Sequence, residues 1–89
     1  MPSSSPWVLR IDPDVLQKLE QFPKGDAERI MRAIRGLPLN PYFGDIQKMK
    51  GQQSVWRRRL GSYRFFYKLL SGERIILVFH IERRTSTTY

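Results

Sequence analysis

An α+β fold is predicted for this chain: an N-terminal strand, a two-helix hairpin, then a three-stranded antiparallel meander. Three observations predict it. Apolar residues recur at helical spacing across 13–37, three β-favouring runs occupy 55–60, 63–70 and 74–81, and the pairs Gly61-Ser62 and Ser71-Gly72 punctuate those runs as tight hairpin turns.

Residues 1–6 read as a flexible tail and 7–89 as one domain, since 89 residues suffice for a single core. The tail has neither the basic nor the apolar segment of a secretory leader, and the longest wholly apolar run, Ile75 to Phe79, is far too short to span a bilayer. A cytoplasmic protein without a membrane partner is expected. The absence of cysteine excludes disulfides, thiolate zinc sites and cysteine nucleophiles, and it suits a reducing compartment.

Trp7 to Ile11 is short, apolar and β-favouring, the first strand. Asp12-Pro13 follows as an N-cap with proline at the first helical position. Val15, Leu16, Leu19 and Phe22 then share one helical face until Pro23-Lys24-Gly25 breaks the helix. Asp26 is expected to begin or cap the second helix, in which Ile30, Ile34 and Leu37 recur at i, i+4, i+7. Gly36 and Pro38 end it, and Asn40 to Gly44 is turn chemistry. Trp7, Leu16, Phe22, Ile30, Ile34, Leu37, Tyr63, Phe65 and Tyr67 form the expected core. With the helix pair over one face of the sheet, the other face is left for function.

Charge is distributed unevenly. Of a net +8, residues 1–45 contribute nothing, with six Lys/Arg against six Asp/Glu, whereas residues 46–89 carry ten bases and only Glu73 and Glu82. A one-sided positive field attracts polyanions, nucleic acid first and an acidic protein second.

Several chemistries fail on inventory. No glycine pattern matches a phosphate-binding loop, no carboxylate cluster in the basic half suits a metal nuclease, and a single histidine cannot form an acid/base pair. His80, between Phe79 and Ile81, reads as an ordinary strand residue. No cofactor or metal is therefore expected. Arginine remains. Alternation along Val55 to Leu60 places Arg57 and Arg59 on one face with Trp56, Arg58 and Leu60 on the other, and Arg64 alternates with Phe66 and Lys68 on the next strand. Like charges this close oppose folding unless an anion is to be held, and planar guanidinium groups suit bidentate phosphate contacts. Lys48, Lys50 and Lys68 are candidate nucleic-acid contacts, and the loop aromatics Tyr42 and Phe43 could stack on a nucleotide.

The run Trp56-Arg57-Arg58-Arg59-Leu60-Gly61-Ser62-Tyr63-Arg64-Phe65-Phe66-Tyr67 resembles the aromatic-Arg-x-Arg-x-Gly-x-Tyr-Arg-x-x-Tyr signature of the RelE/ParE toxins. Upstream, Leu37-x-x-Asn40-Pro41-x-x-Gly44-Asp45 and Lys48-Met49-Lys50-Gly51 are similar to the segment preceding it there. The closing Glu82-Arg83-Arg84-Thr85-Ser86-Thr87-Thr88-Tyr89 is similar to the family's basic, tyrosine-ending last strand. The resemblance covers residues 7–89 in order. It implies a RelE-like fold and a toxin of a type II toxin-antitoxin system, with an acidic, partly disordered antitoxin as cognate partner and the ribosome and mRNA as targets. RelE-like members cut mRNA on the ribosome; ParE-like members inhibit DNA gyrase without catalysis. Carried over by position, the catalytic residues of the RelE branch fall on Arg57, Arg59, Arg64, Arg83 or Arg84, and Tyr89.

That likeness implies metal-independent cleavage by attack of the ribose 2′-hydroxyl on the adjacent phosphate. The arginines would stabilise charge on phosphorus and Tyr89 would act as general base. Arg57 and Arg59 stand where RelE members often carry lysine and must serve by charge alone. Arg58 stands where an apolar residue is usual, so its head is expected in water with its stem on the sheet. The alternatives are a gyrase inhibitor of the ParE type and an inactive relative retained as a basic binding module.

Overall fold

The computed structural model describes residues 7–84; the expected tail 1–6 and the candidate base Tyr89 lie outside the described residues. The chain runs β1 (Val8–Ile11), α1 (Pro13–Leu19), α2 (Lys24–Arg35), β2 (Ile46–Lys48), β3 (Val55–Leu60), β4 (Tyr63–Leu70) and β5 (Ile75–Arg83). Its single sheet has five strands in the order β1-β5-β4-β3-β2, with β1 parallel to β5 and every other pair antiparallel. The expected strand, helix pair and meander are all present. The short edge strand β2 is an addition.

Asp12 caps α1, its Oδ1 accepting the backbone N–H of Asp14 at 2.9 Å, with Pro13 in the first turn. Only Val15 and Leu19 of this helix are buried; Leu16, expected in the core, is 43 % exposed. Two turns of helix present one narrow stripe to the sheet, and Leu16 lies a rotation away from it. α2 begins two residues before Asp26, with Pro23 rather than an acid at the cap position, so Lys24 and Gly25 are helical instead of breaking the chain. Asp26 sits in the first turn, where a carboxylate suits the helix dipole, and it accepts the Tyr63 hydroxyl at 2.7 Å.

Ile30, Ile34 and Leu37 meet Tyr63, Phe65, Tyr67, Leu69, Ile76, Val78 and Ile81 in one buried cluster, with Trp7 and Phe22 partly buried against it. Tyr67 is wholly buried and donates to the Pro41 carbonyl at 2.6 Å, fixing the loop after α2 to the sheet. The β4–β5 connection is a four-residue loop, 71–74, rather than a tight two-residue turn. Arg74 adopts φ 56° in it, with its guanidinium 5.8 Å from the Trp7 ring centroid.

One irregularity governs the uncovered face. Phe66 pairs with His80 but Tyr67 pairs with Val78, so Phe79 is an extra residue in β5. Ile76 and Val78 point to the core before this bulge and Ile81 after it, while His80 and Glu82 turn outward. Unbroken alternation from Ile76 would have driven His80 and Glu82 into the core; the bulge re-aims them.

Candidate nucleic-acid interface

The β3–β4 hairpin positions the arginines. Gly61, at φ 63°, lets the chain reverse in two residues between the paired Leu60 and Tyr63. This register places Arg59 directly opposite Arg64 and Arg57 opposite Phe66. Cross-strand partners share a face, so Arg57, Arg59, Arg64, Phe66 and Lys68 all lie on the side away from the helices. Their neighbours Tyr63, Phe65, Tyr67 and Leu69 fill the core.

Each guanidinium on this face is oriented by a side chain of the protein itself. Arg57 donates through Nη2 to Oε1 of Gln47 on β2. Arg59 Nε lies 3.1 Å from Asp45 Oδ2, and its backbone N–H donates to the Asp45 carbonyl at 2.9 Å. Arg64, with 15 % of its side chain exposed, places Nε 3.6 Å from Glu82 Oε2; His80 Nε2 lies 3.2 Å from the other Glu82 oxygen. Asp45 and Glu82 offset part of the charge, each meeting its arginine at Nε. The Arg59–Asp45 pair is open to solvent, with side-chain exposures of 57 % and 62 %, so water and salt weaken it.

The other sequence candidates divide. Lys68 is on the arginine face, its Nζ 5.9 Å from the Phe79 ring centroid. Lys48 pairs with Trp56 and therefore projects from the edge strand toward the helix side, and Lys50 lies in the exposed turn beyond it. Arg83 pairs with Tyr63 and sets its guanidinium 5.5 Å from that ring centroid, on the covered side, so it does not join Arg57, Arg59 and Arg64. Arg84, one residue further, is exposed, with its backbone N–H bound to the Ser62 carbonyl.

Arg58 departs from expectation. Its head lies not in water but beneath the loop after α2, 5.7 Å from the Phe43 ring centroid, with Nε buried and without a hydrogen-bond partner among the described residues. Tyr42 packs edge-on against Trp56 at 5.5 Å, so both loop aromatics belong to the covered side rather than to the arginine face.

Burial pushes the Tyr67 phenol up to about 12, and burial, followed by the hydrogen bond to Asp26, raises that of Tyr63. Both stay protonated at neutral pH and are structural, not basic.

Sequence reasoning undervalued the partners of the arginines. Gln47 and Asp45 reach them only because β2 forms, and Glu82 and His80 only because of the bulge. Val78 and Ile81, three apart where strand alternation asks for two, were its signal.

A sheet covered by helices on one side and lined by oriented guanidinium groups on the other defines a class of small α+β proteins with a cationic sheet face. Comparison with known proteins narrows it. No family model matches the chain. It is 33 % identical over 79 residues to the curated protein named "Putative toxin RelE1" of Methanocaldococcus jannaschii, covering 85 % of this chain and 88 % of that one. It superposes on the archaeal RelE–RelB complex of Pyrococcus horikoshii OT3 with TM-score 0.79 at 23 % identity, over 93 % of this chain and 100 % of that one. The toxin-antitoxin complex RelBE2 of Mycobacterium tuberculosis gives TM-score 0.76 at 16 % identity, over 90 % and 100 %. The chain belongs to the RelE toxin family.

Proposed function

We propose that this toxin is a ribosome-dependent mRNA endoribonuclease that cuts without a metal, and that its uncovered sheet face holds the scissile phosphate. The supporting observation is the direct opposition of Arg59 and Arg64, with Arg57 beside them, on one solvent-facing surface. Two like charges face to face lower stability, and their arrangement makes physical sense when a phosphate lies between them. The ribose 2′-oxygen attacks the adjacent phosphorus, the bond to the 5′-oxygen breaks, and that oxygen takes a proton from water, leaving a cyclic phosphate and a free 5′-hydroxyl. The arginines stabilise charge that builds on the phosphoryl oxygens, an electrostatic contribution that commonly dominates such catalysis. In this reading Tyr89, which lies outside the described residues, takes the 2′-hydroxyl proton. Arg84 fits the role of the last-strand arginine better than Arg83, whose head is stacked on Tyr63.

Lys68 contributes a phosphate contact on the same face; Lys48 and Lys50 contact ribosomal RNA at the edge of the sheet. An acidic, partly disordered antitoxin folding over the arginine face holds the toxin inactive, a partner supported by the toxin-antitoxin assembly of the Mycobacterium tuberculosis relative. The test is cleavage of mRNA on programmed ribosomes by wild type and Arg64→Ala. Cuts that depend on Arg64 support the enzyme. Intact mRNA accompanied by gyrase arrest would assign the chain to the non-catalytic ParE type instead.

A further inference from the structure

The arginines meet phosphate, yet the hollow beside them has different chemistry. It is an open hollow of about 340 Å³ between the turn after β2 and the bulged part of β5, with Met49, Val55, Phe66 and Phe79 as apolar walls and Gln52, His80 and Glu82 as polar groups. Three rings fan around it: Phe66 lies 6.4 Å from Phe79 at 49° and 5.4 Å from His80 at 53°, centroid to centroid. Arg57 is the strand partner of Phe66, and Arg64 the partner of Glu82. Adjacent strands are about 4.8 Å apart, so a nucleotide whose phosphate is gripped by Arg57 and Arg64 has a base within reach of the rings.

We propose that this hollow is a nucleobase site, in which the base next to the gripped phosphate stacks on Phe79 and Phe66 and donates its amino edge to Glu82. The proposal rests on the ribonuclease reading and adds the means of base selection. Stacking on aromatic rings is how unpaired RNA bases are held. An apolar protein side chain would meet the walls alone, whereas a base meets the walls with its ring and, with its polar edge, the Glu82 carboxylate that Arg64 and His80 already share. Glu82 retains acceptor capacity beyond Arg64 and His80, since a carboxylate offers about four lone-pair sites. Adenine, cytosine and guanine each bring an amino donor. Uracil's single ring N–H lies between two carbonyl oxygens that the carboxylate repels, so uracil is disfavoured.

The experiment uses programmed ribosomes with 2-aminopurine at each position of the decoding-site codon in turn, beside a 2′-deoxy linkage that cannot be cut. Co-sedimentation reports binding, and quenching of 2-aminopurine fluorescence reports stacking. Wild type is expected to bind and to quench at one position. Phe79→Leu should bind with quenching lost and cut all-ribose mRNA about 5- to 100-fold more slowly, and Phe79→Tyr should restore both, which separates lost stacking from a damaged fold. Uracil at the quenched position should slow wild type relative to cytosine, a difference that Glu82→Gln removes.

Normal cleavage and quenching by Phe79→Leu would overturn the nucleobase site while leaving the nuclease intact. Weakened antitoxin capture by Phe79→Leu with unchanged cleavage would assign the hollow to a protein side chain and also overturn it. Wild type that neither binds nor cuts would remove the ribonuclease reading and the base site together.

Discussion

Arg59 and Arg64 face each other across the β3–β4 hairpin, and each is tied to a carboxylate of its own, Arg59 to Asp45 at 3.1 Å and Arg64 to Glu82 at 3.6 Å. The acids do not annul the pair. They engage the Nε edge of each fork, at an exposed site for Arg59 and a largely buried one for Arg64.

A separation of stability from activity follows. Arg59 is exposed, and its removal relieves a like-charge contact while giving up a solvent-weakened ion pair. Arg59→Ala should therefore change the unfolding free energy by less than about 1 kcal/mol. Cleavage on the ribosome should fall roughly 100- to 1,000-fold, the usual cost of deleting one transition-state donor. Urea denaturation beside a single-turnover cleavage assay checks both. Equal loss in the two measurements would mean that Arg59 only supports the fold.

Gly44 and Arg58 give a second prediction. Gly44 has φ +94°, and a Cβ built there would come within 2.6 Å of the Arg58 guanidinium carbon. Gly44→Ala thus combines backbone strain with a clash and should cost about 1–3 kcal/mol. Arg58 itself carries a buried Nε without a hydrogen-bond partner among the described residues, so Arg58→Met should be neutral or stabilising by about 1 kcal/mol, removing an unmet donor while keeping the packed stem. In the double variant the Gly44 penalty should shrink, because a flexible thioether yields where the planar fork does not. Thermal melts of the four proteins complete the cycle.

Alkaline pH gives a third. Tyr67 keeps its proton in the fold up to about 12, whereas the unfolded chain releases it near the ordinary phenol value of 10.0, because burial penalises the phenolate. The stability this provides is fully present below pH 10 and is lost as pH rises toward 12. Tyr63, raised by burial and by Asp26, acts with the same sign. Tyr67→Phe should flatten the alkaline fall of the denaturation midpoint. At pH 7 it should cost about 1 kcal/mol, since the Pro41 carbonyl loses its donor.

How far the chain could be read in advance depended on which interactions were local. Arg57, Arg59 and Arg64 were placed on one face from strand parity and from a two-residue turn at Gly61-Ser62 that fixes register, and both are properties of adjacent residues. The helix pair was legible from the period of Ile30, Ile34 and Leu37. What escaped was decided by distant partners. β2 has only three residues and exists because β3 offers an open edge. Arg58 is drawn under Phe43 by a loop that α2 delivers, and Leu16 is exposed because α1 is too short to bury a second row. The bulge at Phe79 reconciles two demands, Val78 and Ile81 inward with His80 and Glu82 outward, that no regular strand satisfies.

Arg83, the last residue of β5, and Arg84, just beyond it, give the last prediction, because they have different surroundings. Arg83 stacks on Tyr63 over the core side, where a cation over an aromatic ring is worth about 0.5–1 kcal/mol at an accessible site. Arg83→Ala should therefore lower the melting temperature by a few degrees and leave ribosomal cleavage nearly unchanged. Arg84, just beyond the strand, has no such stacking contact among the described residues and is exposed, its backbone N–H bound to the Ser62 carbonyl. Arg84→Ala should melt like wild type and, on the proposed mechanism, cut more slowly by about 10-fold or more, since that mechanism sets its charge near the departing 5′-oxygen. Lysine at 84 should recover part of the rate, since a point charge remains though the fork is lost. The opposite pattern, with cleavage sensitive to 83 and melting to 84, would show that β5 shifts register by one residue when it meets the ribosome.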